Sequence, residues 1–162
     1  MMEVSANEET EKKVRLRCRI ESRETVAAML ANGGFEVSED GVYIFYESGH
    51  MPDYVVGKAK DDSGDLRMIK FAEILYFESF GHNIYMVTEK GELGVKDKIY
   101  QLEAMLPPQL FMRVSQSVIV NRDNIKKISP GIGAHYFLTM KNNVKVDVTR
   151  NYYNRFKTEI GI

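Results

Sequence analysis

The chain has 162 residues, 44% of them hydrophobic, with 22 Lys and Arg against 23 Asp and Glu and a formal net charge of −1. Such a chain can close one good core and a small second one, and its composition excludes collagen-like, disordered and disulfide-rich classes. The lone Cys18, a polar and acidic start, and the absence of any apolar run near the roughly 18 residues of a spanning helix lead to the expectation of a soluble, cytoplasmic protein with no membrane insertion.

The charge is unevenly distributed. Residues 1–64 hold 8 Lys and Arg against 13 Asp and Glu, whereas residues 65–162 hold 14 against 10 and the stretch from Gln101 onward 9 against 4. An excess of cations in the C-terminal part points to a polyanionic partner for that part.

Residues 1–12 are expected to fray. From Val14 to Ile20 the apolar residues Val14, Leu16, Cys18 and Ile20 alternate with Arg15, Arg17 and Arg19, the period of a strand buried on one face with its arginines on a solvated edge. Ser22 is placed to cap a helix carrying Val26, Met29 and Leu30 on one side and ended by Gly33-Gly34. Asp40-Gly41, between two strand-like runs in Phe35–Tyr46, predicts a hairpin. These elements make a small α/β unit over residues 1–52, closed by the turn-rich junction Glu47–Asp53, in which His50 reads as a loop residue.

A second domain is expected over residues 53–162. Tyr54–Gly57 and Leu66–Phe71 read as strands, and the continuous apolar run Ile74–Phe77 as a strand buried on two faces. Glu78–Asn83 interrupts it and places His82 and Asn83 at a hairpin tip or bulge before Ile84–Thr88. Ile99, Leu102, Met105 and Leu106 recur at helical spacing before Pro107-Pro108, which makes one short internal helix with a core stripe.

Next comes Arg113-Val-Ser-Gln-Ser-Val-Ile-Val-Asn121, a cation and a hydroxyl/amide cluster running into a buried β-branched triplet. Asn121 is expected to fasten a turn, and His135 to be structural or solvated. Tyr136–Met140 and Val144–Val148 flank Lys141-Asn-Asn and form a hairpin, with Val144, Val146 and Val148 inward. Thr149 can cap a final helix whose apolar side is Tyr152, Tyr153, Phe156 and Ile160. Arg150 and Asn151 then sit at a helix N-terminus, where backbone amides favour an anion.

The ordered segments Ile74-Leu-Tyr-Phe-Glu-Ser79, Lys98–Glu103, Phe111–Asn121, Ile125-Lys-Lys-Ile128 and Val146–Tyr153 together resemble the LytTR DNA-binding domain over about residues 54–160. The resemblance implies a mostly β fold, α+β overall, of antiparallel sheets with one short internal helix and a C-terminal helix. It further implies a bacterial transcription regulator that places loops in successive major grooves of double-stranded promoter repeats, as a homodimer. Carried onto this chain, it gives His82, Gln116 and Arg150 as base-contacting residues. Their side-chain chemistry suits base reading, since Arg grips guanine O6/N7, Gln pairs with adenine N6/N7, and His serves a base edge in either sense. Ser79, Asn83, Ser115, Ser117 and Asn151 would contact the DNA backbone, which sets register without reading sequence. The chain departs from the family pattern at Ser115-Gln116, where many members have a His followed by a cation or Asn, and this bears on base preference.

Regulators of this family usually carry a phosphorylated receiver domain. The acidic residues of 1–52 sit in turns without a doubly wound pattern, so phosphorylation in cis is not expected and the N-terminal unit is expected to mediate dimerisation or to receive a regulatory protein partner. No glycine-rich phosphate loop, metal-spaced His/Cys set or nucleophile elbow is present, so no enzymatic activity, metal or cofactor is expected. The alternative is a protein-interaction module that keeps the fold without binding DNA.

Overall fold

The computed structural model describes residues 12–46 and 52–162. It divides at Pro52/Asp53 into two compact units. The fraying expected of residues 1–12 lies outside the described residues except at Lys12, whose carbonyl instead accepts from the Glu36 N–H at 2.9 Å; the loop position of His50 also lies outside them.

In the first unit β1 (Lys13–Arg17) is followed by α1 (Ile20–Asn32), β2 (Glu36–Val37) and β3 (Tyr43–Tyr46). The expected hairpin does not form: β2 and β3 never pair with each other, and each lies parallel to β1 in the order β2-β1-β3. The chain therefore crosses over β1 between them. Gly41 makes the crossing, and a Cβ there would stand 2.7 Å from the Val14 Cα and carbonyl carbon, so only glycine fits so close an approach. Asp40 stays in a local turn, closed by Gly41 N–H donating to the Ser38 carbonyl at 3.2 Å, and its carboxylate accepts from the Ser38 hydroxyl and from the Lys13 ammonium, the latter at 3.2 Å.

Three further features of this unit depart from expectation. Arg15 does not line a solvated edge, because β1 is the middle strand and the residue is 3% exposed. The strand ends at Arg17, which leaves Cys18 beyond it and half-buried, and Ile20 starts the helix at 90% exposure. The helix starts earlier than Ser22 suggests, with Arg19 at the N-cap position and no side-chain cap bond. Its apolar residues, Met29 among them, do not enter a core.

The second unit is mostly β, and its largest sheet runs β5-β4-β8-β7-β6-β10-β9. These strands are β4 (Tyr54–Ala59), β5 (Leu66–Lys70), β6 (Ile74–Phe80), β7 (Asn83–Thr88), β8 (Gly91–Val95), β9 (Phe111–Arg113) and β10 (Val118–Asn121). All neighbours pair antiparallel. A second antiparallel sheet has the order β11-β12-β13, from Ile125–Pro130, Tyr136–Met140 and Lys145–Val148. Two helices complete the unit, α2 (Ile99–Met105) and α3 (Arg150–Ile160).

The run Ile74–Phe77 is buried on both faces, as its unbroken hydrophobicity predicts. Its faces do not follow simple alternation. The pairing with β7 shifts by one residue between Ile74 and Tyr76, so that Leu75 and Tyr76 share one core while Ile74 and Phe77 share the other. On one side the large sheet packs Ile74, Phe77, Met86, Phe111 and Ile119 against Leu102 and Leu106 from the α2 segment. On the other, Leu75, Met112, Val118 and Val120 meet Leu138, Met140, Val146 and Val148 of the small sheet, with Phe156 of α3 between them. Val144, expected to face inward with its neighbours, is 41% exposed because it belongs to the turn before β13. The turn itself needs a left-handed residue, which Asn143 supplies at φ 64°.

Asn121 fastens the turn that follows it, as expected, and also ties that turn to the Phe71–Ile74 segment. It is buried, its amide donates to the carbonyls of Phe71 and Ile74, each at 2.9 Å, and its oxygen accepts from the Asp123 backbone N–H. Asn124 repeats the device, donating to Ile74 and Ala72.

Candidate nucleic-acid interface

Three loops leave neighbouring strand ends, and backbone hydrogen bonds hold them together. The first is the β6–β7 hairpin. The strand does not break at Glu78 but continues to Phe80, which pairs with Asn83 across the two-residue loop Gly81-His82. Gly81 has φ 61°, the conformation required at the first position of such a tight loop. His82 and Asn83 are exposed at the tip, and Ser79 is half-buried further down.

The second loop, Ser115-Gln116-Ser117, is closed at its base by Val114 N–H donating to the Val118 carbonyl at 3.0 Å. Inside it, the Ser115 Oγ accepts from the Ser117 backbone N–H at 3.2 Å and lies 3.3 Å from the Ser117 hydroxyl. Ser115 is 7% exposed, so its hydroxyl shapes the loop from within. Gln116 stands exposed at the apex.

The third loop joins β13 to α3. Thr149 occupies the N-cap position, but its side chain makes no cap hydrogen bond, contrary to the role expected for it. Its backbone N–H is the useful group: it donates to the Val114 carbonyl at 3.0 Å, while Ser79 N–H donates to the Ser117 carbonyl at 2.7 Å. The first and third loops are thereby fastened to opposite ends of the second. Arg150 and Asn151 open the helix and are exposed.

Between the second and third loops lies a groove of about 580 Å³. Ser115, Gln116, Ser117, Thr149, Asn151 and Lys145 line it, with Glu78 and Asp147 at its acidic positions. Of the eight residues expected to contact DNA, the groove gathers Ser115, Gln116, Ser117 and Asn151. Ser79, His82, Asn83 and Arg150 lie outside its lining, connected to it through the two backbone bonds.

The residue that sequence reasoning misplaced is Arg113. It reads as part of a donor surface, yet its guanidinium is turned inward, with Nε donating to the Ser115 carbonyl at 3.1 Å and Nη2 to the Gln116 carbonyl at 2.6 Å. Nη1 is paired with Glu103 Oε2 at 2.8 Å, and the Tyr152 ring lies 5.9 Å from the guanidinium carbon. Glu103 also accepts from Arg155 at 2.9 Å, Arg155 from α3 grips Glu159, and Glu159 pairs with Arg122. A chain of charges thus fixes α2 and α3 behind the loop. Nothing in the local sequence signals it, because Glu103 and Arg113 belong to different elements.

Burial pushes the Glu103 carboxyl upward, but hydrogen bonds from Arg113 and Arg155 outweigh it and hold the group below its ordinary value. A depressed carboxylate stabilises the fold above its unfolded pKa, about 4.3, and loses that contribution as pH falls through the folded value. We expect acid unfolding below about pH 4.5 to be less steep in Glu103→Gln, whose stability is lower at pH 7. Urea melts across pH 2–7 check this, and identical acid limbs would contradict it.

Among the described residues no cluster of His, Cys, Asp and Glu is built to hold a metal, and no helix is long and apolar enough to cross a membrane.

The architecture and the three bound loops define a β-rich domain that presents polar loops from strand ends. Residues 64–161 match the model of the LytTr DNA-binding domain, and the chain belongs to that family. Among solved structures, a LytTr DNA-binding domain from Bacillus cereus matches with a TM-score of 0.65 and 27% identity, over 68% of this chain and 99% of that one. The sensory transduction protein LytT of Bacillus subtilis is 36% identical over 88 residues, which cover 49% of this chain and 36% of that protein. The transcriptional regulatory protein LytR of Staphylococcus aureus is 30% identical over 97 residues, 60% of this chain and 39% of its own. The chain therefore spans well under half the length of these curated relatives.

Proposed function

We propose that this protein is a sequence-specific double-stranded DNA-binding transcription regulator whose loops enter the major groove. His82, Gln116 and Arg150 read base edges; Ser79, Asn83, Ser117 and Asn151 meet the phosphate backbone, and Ser115, at the wall of the same groove, holds the loop in shape for them. The observation that carries this reading is the pair of backbone bonds, Ser79 to Ser117 and Thr149 to Val114, which presents three polar loops as one surface. A major groove about 12 Å wide admits protein elements of this size, and each base pair offers a distinct donor and acceptor pattern there. The first turn of α3 adds backbone amides suited to a phosphate. We further propose that the protein acts as a homodimer on promoter repeats in the cytoplasm, without enzymatic activity. In this proposal residues 53–162 bind DNA, and residues 1–52 mediate dimerisation or receive a regulatory partner.

The test is fluorescence anisotropy with duplex DNA from upstream of the protein's own gene, over a salt series. Affinity should fall linearly on a log–log plot, because phosphates neutralised by the protein release counterions. If no duplex is bound above background even at low salt, the reading fails and the fold serves as a protein-interaction module.

A further inference from the structure

The residues assigned to the phosphate backbone so far are all neutral, yet duplex affinity rests largely on cations that displace counterions. Most arginines of the second unit are committed elsewhere: Arg113, Arg122 and Arg155 to glutamates and Arg67 to Asp61, while Lys60 and Lys90 pair with Glu92 and Glu73. Lys127 and Lys145 differ. Both are exposed, and among the described residues neither has an ion-pair partner.

The sheet register places them together. Lys127 is opposite Thr139 in the β11–β12 pairing, and Thr139 is opposite Lys145 in the β12–β13 pairing, so the three form one row across the same face of the small sheet. With strands about 4.8 Å apart, the two lysines stand roughly 10 Å from each other at their Cα atoms. Lys145 also lines the groove shared by Gln116 and Asn151, so the row runs outward from that groove. The neighbouring row holds Ser129, Phe137 and Asp147, and Asp147 lies 3.8 Å from His135 Nε2. Lys126, next in sequence to Lys127, spends its ammonium on the Asn143 side-chain oxygen at 3.0 Å.

Resting on the DNA-binding reading above, we infer that Lys127 and Lys145 form a phosphate-contacting track that carries the DNA backbone across the small sheet beside the reading groove. Lysine suits such a track, as a compact charge on a long flexible stem that attracts phosphate without reading sequence.

The experiment compares the full chain with Lys127→Ala/Lys145→Ala, and with Lys126→Ala as a neighbouring control, by anisotropy on the specific duplex and a random duplex between 50 and 200 mM salt. The track predicts that the double variant loses affinity by the same factor on both duplexes. Its salt slope should be shallower by about two, so that across this four-fold salt range it forfeits roughly ten-fold less affinity than wild type does. Lys126→Ala should keep the wild-type slope. A double variant with an unchanged slope, or one weakened on the specific duplex alone, overturns the track while leaving the DNA-binding reading intact. Wild-type protein that binds neither duplex overturns both. Unchanged melting temperatures of these surface variants confirm that the comparison is between folded proteins.

Discussion

Phe156→Ala is expected to cost the domain about 3–5 kcal/mol and to lower its melting temperature by more than about 10 °C. Phe156 is fully buried, its ring 5.6 Å from that of Tyr136, in the core between the two sheets. It is the only fully buried residue of α3, whose other apolar contacts, Tyr152, Ile160 and Tyr153 stacked on Tyr136 at 5.1 Å, are half-buried. Removing the ring leaves a cavity and frees the helix that carries Arg150, Asn151 and Arg155. Calorimetry measures the stability loss, and a drop of under about 1 kcal/mol would mean that α3 is held chiefly by its charges.

Arg113→Ala should cost about 2–4 kcal/mol, since it deletes an ion pair with Glu103 and two charge-assisted bonds to loop carbonyls. The larger consequence concerns the loop. Without the guanidinium the Ser115 and Gln116 carbonyls lose their common anchor, and affinity for a specific duplex should fall more than about ten-fold, in excess of any loss on random DNA. Arg113→Lys separates the two effects: an ammonium can still pair with Glu103 but lacks the planar fork that spans both carbonyls. Denaturant melts should show stability largely recovered in the lysine variant, while anisotropy shows specificity still impaired. Full recovery of both would reduce Arg113 to a charge partner.

The contrast between these two residues shows what local pattern can and cannot convey. The stripe of α3, the two-faced burial of Ile74–Phe77 and the Asn142-Asn143 turn follow from periodicity and turn chemistry, which act within a few residues. The pairing of Arg113 with Glu103 arises only when α2 docks beside β9, so its sequence environment looked like an exposed donor cluster. The bulge that sends Leu75 and Tyr76 to one face is likewise set by the partner strand. In the first unit Asp40-Gly41 gave a strong hairpin signal and a turn does form there, yet insertion of β1 between the two strands, with its backbone against Gly41, prevailed over their pairing as a hairpin. The order of the three loops was legible because each follows a strand, and the bonds that join them were not, because backbone amides leave no mark in a sequence.

The decisive measurement of base reading by these loops is the affinity of Arg150→Ala for the specific duplex and for random DNA under the same salt. Arg150 is exposed at the start of α3, with no ion pair among the described residues, so its removal leaves the fold intact. Base contact by Arg150 predicts a loss of about 1–3 kcal/mol on the specific duplex and a smaller one on random DNA. Equal losses on both would place Arg150 on the phosphate backbone and contradict base reading by this loop.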